Sequence, residues 1–315
     1  MSDLSLSTMW GIGQFKMLAD FFDAGRDLGF DRFELNHAVN SAMLGNVHLN
    51  GYKISSVHEP CPADISTATL KERNWLVSAP DPENRRQGVE GVRRSIDLAR
   101  ELGAQLVIVH PGRVDIDTAL EMDLHKLFKA GQSNTPEYEQ AKQRLASARA
   151  AQVGANLESV RRSLAELAEY AARQGLRLGL ENRYYYYEIP LPDELDMLLD
   201  LGYEDVIGYW HDVGHAQTLE HLGFCTHREW LDRFAHRIVG THLHDVVGIR
   251  DHLAAGLGQI DWDMVARYLP ADALRTCEFQ TFNSPQQVVA GVQWLVDKGC
   301  VGSVQMQMHG AAPRA

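Results

Sequence analysis

Three observations predict an α/β fold, a (β/α)8 TIM barrel, for this sequence. Short apolar, β-branched runs alternate along the chain with longer amphipathic stretches, the order expected of parallel strands joined by helical crossovers. The apolar runs number eight, which suggests closure into a barrel instead of an open sheet. Several of them finish on an ionisable side chain, and in a parallel barrel the C-terminal strand ends form the face where reactive groups collect.

The elements follow in order. The first strand covers Leu4–Met9, and a helix over Phe15–Leu28 stops at Gly29. The second and third strands are Arg32–Asn36 and Ile54–His58; a helix over Gly88–Leu102, stopped by Gly103, leads to the fourth, Leu106–His110. A helix over Leu157–Gln174, stopped by Gly175, precedes the fifth strand, Arg177–Glu181. A helix over Asp193–Leu201, stopped by Gly202, precedes the sixth, Val206–His211. The helix Thr226–Phe234 leads into Ile238–His242, the helix Asp261–Tyr268 into Arg275–Gln280, and Pro285–Lys298 closes the series. A glycine placed just past a helix supplies the left-handed residue that ends it. One segment breaks the alternation: from Asp115 to Gly154 the chain is polar and rich in Ala, Gln, Glu and Lys, with a turn at Gly131–Pro136. We read it as a helical insertion after the fourth strand, over the barrel mouth, with an extended outer helix as the alternative. Residues 1–315 read as a single domain without repeat or linker.

Composition narrows the function classes. Of 315 residues, 45% are hydrophobic and 23% charged, enough apolar material for a large core. The formal net charge of −12 argues against nucleic acid and anionic membrane as partners, since both attract basic surfaces. Cys61, Cys225, Cys277 and Cys300 are scattered and form no CxxC pair, which argues against a disulfide framework or a cysteine zinc site. The start, MSDLSLSTMWGIG, lacks a basic segment followed by an apolar run, and no apolar stretch approaches the roughly 20 residues that cross a bilayer. A cytoplasmic location is expected. Neither a GxxxxGK[ST] loop nor a GxGxxG after a strand is present, so nucleotide chemistry has no support.

The strand ends carry the chemistry. ISSVHEP finishes on His58, LVIVHPG on His110, LRLGLEN on Glu181, IGYWHD on Asp212, IVGTHLHD on His242 and LRTCEF on Glu278, with His215 in DVGHA and His252 in RDHLAAGLGQIDW close by. Any one of these residues is ordinary, but burying several carboxylates together is costly unless a cation neutralises them. Mixed carboxylate and imidazole ligands suit Mn²⁺, Mg²⁺, Co²⁺, Fe²⁺ or Zn²⁺. Strand alternation puts Trp210 on the face of Asp212 and turns His211 the other way. The loop Arg183-Tyr184-Tyr185-Tyr186-Tyr187-Glu188 is a candidate aromatic wall, Tyr184 first, with Trp10 and Trp210 as further candidates; Arg183 or Glu188 could bond substrate hydroxyls. His244 shares the face of His242 and could reach substrate, Asp245 could orient a ligand histidine or a loop, and Arg250 or Arg113 could meet an anionic group.

At Leu180-Glu181-Asn182, Asp212-Val213-Gly214-His215, His242-Leu243-His244-Asp245, Asp251-His252, Gly256-Leu257-Gly258 and Glu278 the sequence resembles the xylose isomerase-like barrel superfamily, which holds sugar isomerases and epimerases, inosose dehydratases and metal-dependent AP endonucleases. The resemblance runs over essentially the whole chain. It implies that Glu181, Asp212, His242 and Glu278 hold one divalent cation, that Glu181 and Glu278 serve between them as acid and base on opposite sides of a sugar carbon, and that His215 and His252 contact substrate. His58 and His110 are left open between substrate contact and a second metal. In the sugar branch the step is proton abstraction next to a carbonyl through an enediolate, and a dehydratase starts the same way. The endonuclease branch, a multi-zinc phosphodiesterase on DNA, is the rival; its aspartate two residues before His252 is Arg250 here, which argues against a third metal. A non-catalytic ligand-binding barrel is a third reading, weakened by the presence of both glutamates. A small sugar or polyol is the expected partner, and the outer helices leave room for a homo-oligomer.

Overall fold

The computed structural model describes residues 4–307. Eight parallel strands close into a barrel in the order β1-β10-β7-β6-β5-β4-β3-β2. In chain order the elements begin with β1 (Leu4–Ser7), α1 (Leu18–Leu28), β2 (Arg32–Leu35), α2 (Ser41–Leu44), β3 (Lys53–His58) and α3 (Thr67–Glu72). Next come α4 (Pro82–Glu101), β4 (Leu106–Val109), α5 (Ala119–Lys129), α6 (Pro136–Gln174), β5 (Arg177–Glu181), α7 (Pro192–Leu199) and β6 (Ile207–Asp212). The chain finishes with α8 (Val213–His221), α9 (His227–Phe234), β7 (Ile238–Leu243), β8 (Asp245–Val247), β9 (Arg250–Leu253), α10 (Trp262–Tyr268), β10 (Leu274–Cys277) and α11 (Pro285–Asp297).

All eight expected strands form; Arg177–Glu181 matches at both ends, and the ends of the others move by at most three residues. The first stops at Ser7 because Thr8–Trp10 turns into a 3-10 helix that Ser7 caps, accepting from Met9 N. The last stops at Cys277, so Glu278 lies just beyond the strand. Helix α1 begins at Leu18, not Phe15, and α4 begins at Pro82, six residues before the expected Gly88, where Asp81 accepts from Asn84 N and Pro82 takes the first turn. Helix α8 and the β8–β9 hairpin were not anticipated.

The segment 115–154 follows the alternative reading, an extended outer helix, in its second half. It contains α5, but its second half is the start of α6, a continuous helix of 39 residues that also supplies the barrel-packing stretch 157–174. Thr135 caps it and Gly175, at φ 70, ends it, while the expected turn at 131–136 is where α5 gives way to α6. Leu124, Tyr138, Ala141 and Leu145 form a small hydrophobic cluster of their own between the two helices.

Inside the barrel, Leu106, Ile108, Trp210 and Val239 make the core. Glycine makes room for it: a Cβ on Gly240 would stand 2.0 Å from the Trp210 ring, and one on Gly208 would stand 2.1 Å from Val239. The alternate residues, such as Val107, Val109, Leu178, Leu180 and Tyr209, pack outward against the helices. Trp210 is fully buried and Trp10 nearly so, with Trp10 Nε1 donating to the Asn283 carbonyl; neither lines an open pocket wall. All four cysteines are free. Among the described residues no helix is long and apolar enough to cross a membrane.

Candidate metal and substrate site

Strand register brings the acidic groups level. Asp212 and His242 are paired across β6 and β7, and Thr276 pairs with His242, so Glu278 emerges beside them. Glu181 ends β5, whose neighbour is β6. Four adjacent strands therefore converge at one point of the mouth. His242 Nδ1 is the hub, 2.7 Å from Glu181 Oε1, 3.3 Å from Glu278 Oε2 and 3.4 Å from Asp212 Oδ2. The four residues present ligand atoms within 4.8 Å of one another, all buried.

The donor set fits a divalent cation. Three carboxylates and one imidazole nitrogen share a water-poor pocket, where unpaired anions are expensive. Glu278 Oε1 is buried with no hydrogen-bond partner among the described residues. Burial pushes the Glu278 carboxyl up to about 7, against the pull of His242 and His58. Burial acts on Glu181 in the same sense, but Arg183, with hydrogen bonds from His110, His242 and His58, holds it well below the usual carboxylate range. The Arg183 guanidinium bonds Glu181 Oε2 directly, and its Nε lies 3.5 Å from Glu188 Oε2.

Two histidine groups flank the cluster. His58 donates from Nδ1 to the Glu59 carbonyl at 3.0 Å, leaving Nε2 to face His110 Nε2, also at 3.0 Å. His110 Nε2 is in turn 2.9 Å from Glu181 Oε2. On the other side, His215, His244 and His252 gather. The Asp212 carboxylate caps α8 by accepting from His215 N at 2.7 Å and accepts from His244 Nε2 at 3.0 Å. His244 Nδ1 accepts from His252 N, which fixes the proton on Nε2. His252 donates from Nδ1 to the Glu278 carbonyl at 3.1 Å.

Several expectations shift at this level. Arg250 is exposed, with its guanidinium 4.4 Å from the Phe282 ring centroid, so it neither meets the histidine group nor repels a cation from it. Its neighbour Asp251 supplies the carboxylate instead, with Oδ2 3.5 Å from His252 Nε2 and 4.0 Å from His215 Nε2. Tyr184 stands edge-on to His215 at 6.0 Å and donates to the Ile249 carbonyl. Tyr186 stacks on Phe224 and Tyr187 is buried, so the tyrosine run is mostly packing. Arg183 pairs with Glu181 and with Glu188, and Glu188 also pairs with Lys71, so both are committed to protein partners. Asp245 organises a loop, accepting from Val246 N, Gly256 N, Ile260 N and Trp262 Nε1. His211 turns outward onto Tyr209 and His227, as alternation requires.

Sequence reasoning missed Glu34. It lies in β2, fully buried, with Oε1 3.1 Å from His242 Nε2 and Oε2 accepting from Ser56 Oγ at 2.8 Å. An inward-facing charge between Phe33 and Leu35 was the available signal, but it sits one residue short of the strand end. His37 was also missed; its ring lies 5.1 Å from that of His58.

Comparison with known proteins agrees with this fold. A family model described as a xylose isomerase-like TIM barrel matches residues 22–298. An uncharacterised protein of Sinorhizobium fredii is 25% identical over 198 residues, 61% of this chain and 51% of that protein. The chain spans about half the length of the curated relatives it matches. Among solved structures, a D-tagatose 3-epimerase-like protein superposes with a TM-score of 0.64 at 20% identity, covering 95% of this chain and 97% of that one. The IOLI protein with a bound zinc atom superposes with a TM-score of 0.62 at 13% identity, covering 95% and 98%.

Proposed function

Because this chain belongs to the xylose isomerase-like TIM barrel family, we propose that it is a cytoplasmic, divalent-metal-dependent isomerase or epimerase of a small sugar or polyol. The observation that carries this reading is the convergence of Glu181, Asp212 and Glu278 on His242 Nδ1. Those four residues would hold the cation, which when bound supplies Lewis-acid polarisation of a carbonyl and balances the buried carboxylates. The fold it shares with an epimerase-like protein and with a zinc-binding barrel supports the same assignment.

The two glutamates would divide the proton transfers between them. Glu181, kept ionised by Arg183 and three histidines, takes the proton from the carbon next to the carbonyl. Glu278 can return a proton on the opposite face for epimerisation or at the next carbon for isomerisation. A dehydratase or related lyase would share the first of these transfers. His58, His110, His215, His252 and Tyr184 surround the cluster and would orient hydroxyls, whereas Arg250 drops out of that role. The test is metal content together with solvent-proton exchange. About one equivalent of divalent metal, lost in Asp212→Ala, and deuterium entering a ketose in wild type but not in Glu181→Gln or Glu278→Gln, is the expected result. A protein that takes up no metal on reconstitution would sink the proposal.

The flanking groups favour one second reading. His58 and His110 with Glu181, and His215, His244 and His252 beside Asp251, could each hold a further cation, as in a multi-zinc phosphodiesterase on abasic DNA. Two to three equivalents of zinc with nicking of abasic DNA would select it over the sugar enzyme.

A further inference from the structure

The mouth carries a second set of metal-type ligands, and a side chain already fills its central oxygen. His58, His110 and Glu181 present ligand atoms within 4.8 Å of one another. His58 Nε2 and His110 Nε2 lie 3.0 Å apart, and they stand 3.8 Å and 2.9 Å from Glu181 Oε2. His58 is also fixed from behind, through Nδ1 on the Glu59 carbonyl, as histidines that ligate metals usually are. Two imidazoles and a carboxylate oxygen are a sufficient donor set for zinc. By geometry alone this triad would take a second cation.

The Glu181 carboxylate is divided between two tasks. Its Oε1 faces His242 Nδ1 at 2.7 Å, on the side of Asp212 and Glu278. Its Oε2 faces His58 and His110, and the Arg183 guanidinium bonds this same oxygen through Nη1. Arg183 is locked there. Its side chain is buried, and its Nε lies 3.5 Å from Glu188 Oε2. Glu188 is buried in turn and is held from outside by Lys71 Nζ, 2.9 Å from Oε1. A bridge between the backbones of Arg113 and Glu188 ties down the loop itself. Lys71, Glu188, Arg183 and Glu181 thus form a row of alternating charge from α3 to the mouth. A guanidinium cannot yield its place by losing a proton. A dication on Glu181 Oε2 would meet like charge at close range in a water-poor site.

We infer that the Arg183 guanidinium stands in for a second metal ion and restricts this side of the mouth to the one cation of Glu181, Asp212, His242 and Glu278. This rests on the four-residue metal reading above and adds the residue that sets the metal number. It also takes from the phosphodiesterase reading one of the two further cations that reading needs. His58 and His110 are left to substrate.

The experiment is a count of bound metal. The metal-free full chain is dialysed against Zn²⁺, and the metal retained is measured by elemental analysis. Each protein is compared with the same protein carrying His110→Ala, so that zinc dependent on His110 is read as a difference. Wild type should show no such difference. Arg183→Met should gain about one equivalent, and Arg183→Met/His110→Ala should lack it. Arg183→Met leaves Glu188 facing Lys71 alone, so if that variant fails to fold, Arg183→Met/Glu188→Gln takes its place in both comparisons. Zinc dependent on His110 in wild type, or no gain when Arg183 is removed, overturns the inference and leaves the four-residue site standing. No zinc on wild type at all removes the metal reading, and the inference with it.

Discussion

At the scale of single residues, the site depends on how His242 is held. Its Nδ1 faces the three carboxylates while Nε2 is fixed by Glu34, so the imidazole presents one nitrogen in one orientation. A carboxylate behind a metal-binding histidine sets its tautomer and raises its basicity. We therefore expect Glu34→Gln to weaken metal binding about 10- to 100-fold with the fold retained, as read by competition with a chelator. Glu278 gives a second prediction, for the metal-free protein. Its folded value of about 7 lies above the ordinary 4.5, so the folded state binds the proton more tightly than the unfolded chain does. Its contribution is fully present below 4.5 and is lost as pH rises through about 7. The Tm of metal-free wild type should fall between those values more steeply than that of Glu278→Gln, and parallel curves would contradict the assignment.

At the scale of elements, the helices after β4 explain how the loop behind Glu181 is built. Glu121 of α5 accepts from Tyr186 N at 2.7 Å and Tyr187 N at 3.0 Å. Arg149 of α6, almost wholly buried, bonds the Tyr186 carbonyl, the Glu188 carbonyl and both oxygens of Glu194. The polar segment 115–154 thus clamps the tyrosine loop, which a surface insertion with no partner would not do. Removing one partner of a buried pair strands the other, so Arg149→Met should cost about 3 kcal/mol in urea unfolding. A loss near zero would mean that the loop holds its own shape. The composition of this segment was legible as helix, but it left an insertion and an extended outer helix both open, and the structure has the extended helix. Gly154 stands at the junction and the helix runs straight through it, because packing and not the local residue decides whether a helical pattern continues.

At the scale of the whole molecule, the interior of the barrel and its mouth are mechanically one object. Trp210 fills the space that Gly240 vacates and supports His242 edge-on, with ring centroids 5.1 Å apart. Gly240→Ala would force that indole to move. The expected result is destabilisation by about 1–3 kcal/mol together with weaker metal binding, measured by denaturation and by chelator competition on the same sample. Normal metal affinity in a destabilised Gly240→Ala protein would separate the two.

Local rules in the sequence determined the order and number of the barrel strands and most of the side chains that reach the mouth. Two-residue alternation, glycine stops and strand-end polar residues act over a few positions, so one sequence suffices to read them. They put Glu181, Asp212, His242 and Glu278 at strand ends with His58 and His110, and the resemblance to the barrel superfamily singled out the four. Only the closed barrel decided which groups meet. Glu34 and His242 lie 208 positions apart and touch because β2 and β7 face each other across the mouth. Arg183 turned to Glu181, Arg250 turned to Phe282 and Asp251 faced the histidines through the paths of loops whose residues read as interchangeable polar side chains in the linear chain. Side-chain direction in a loop is set by what surrounds it, and those surroundings exist only after the strands have closed.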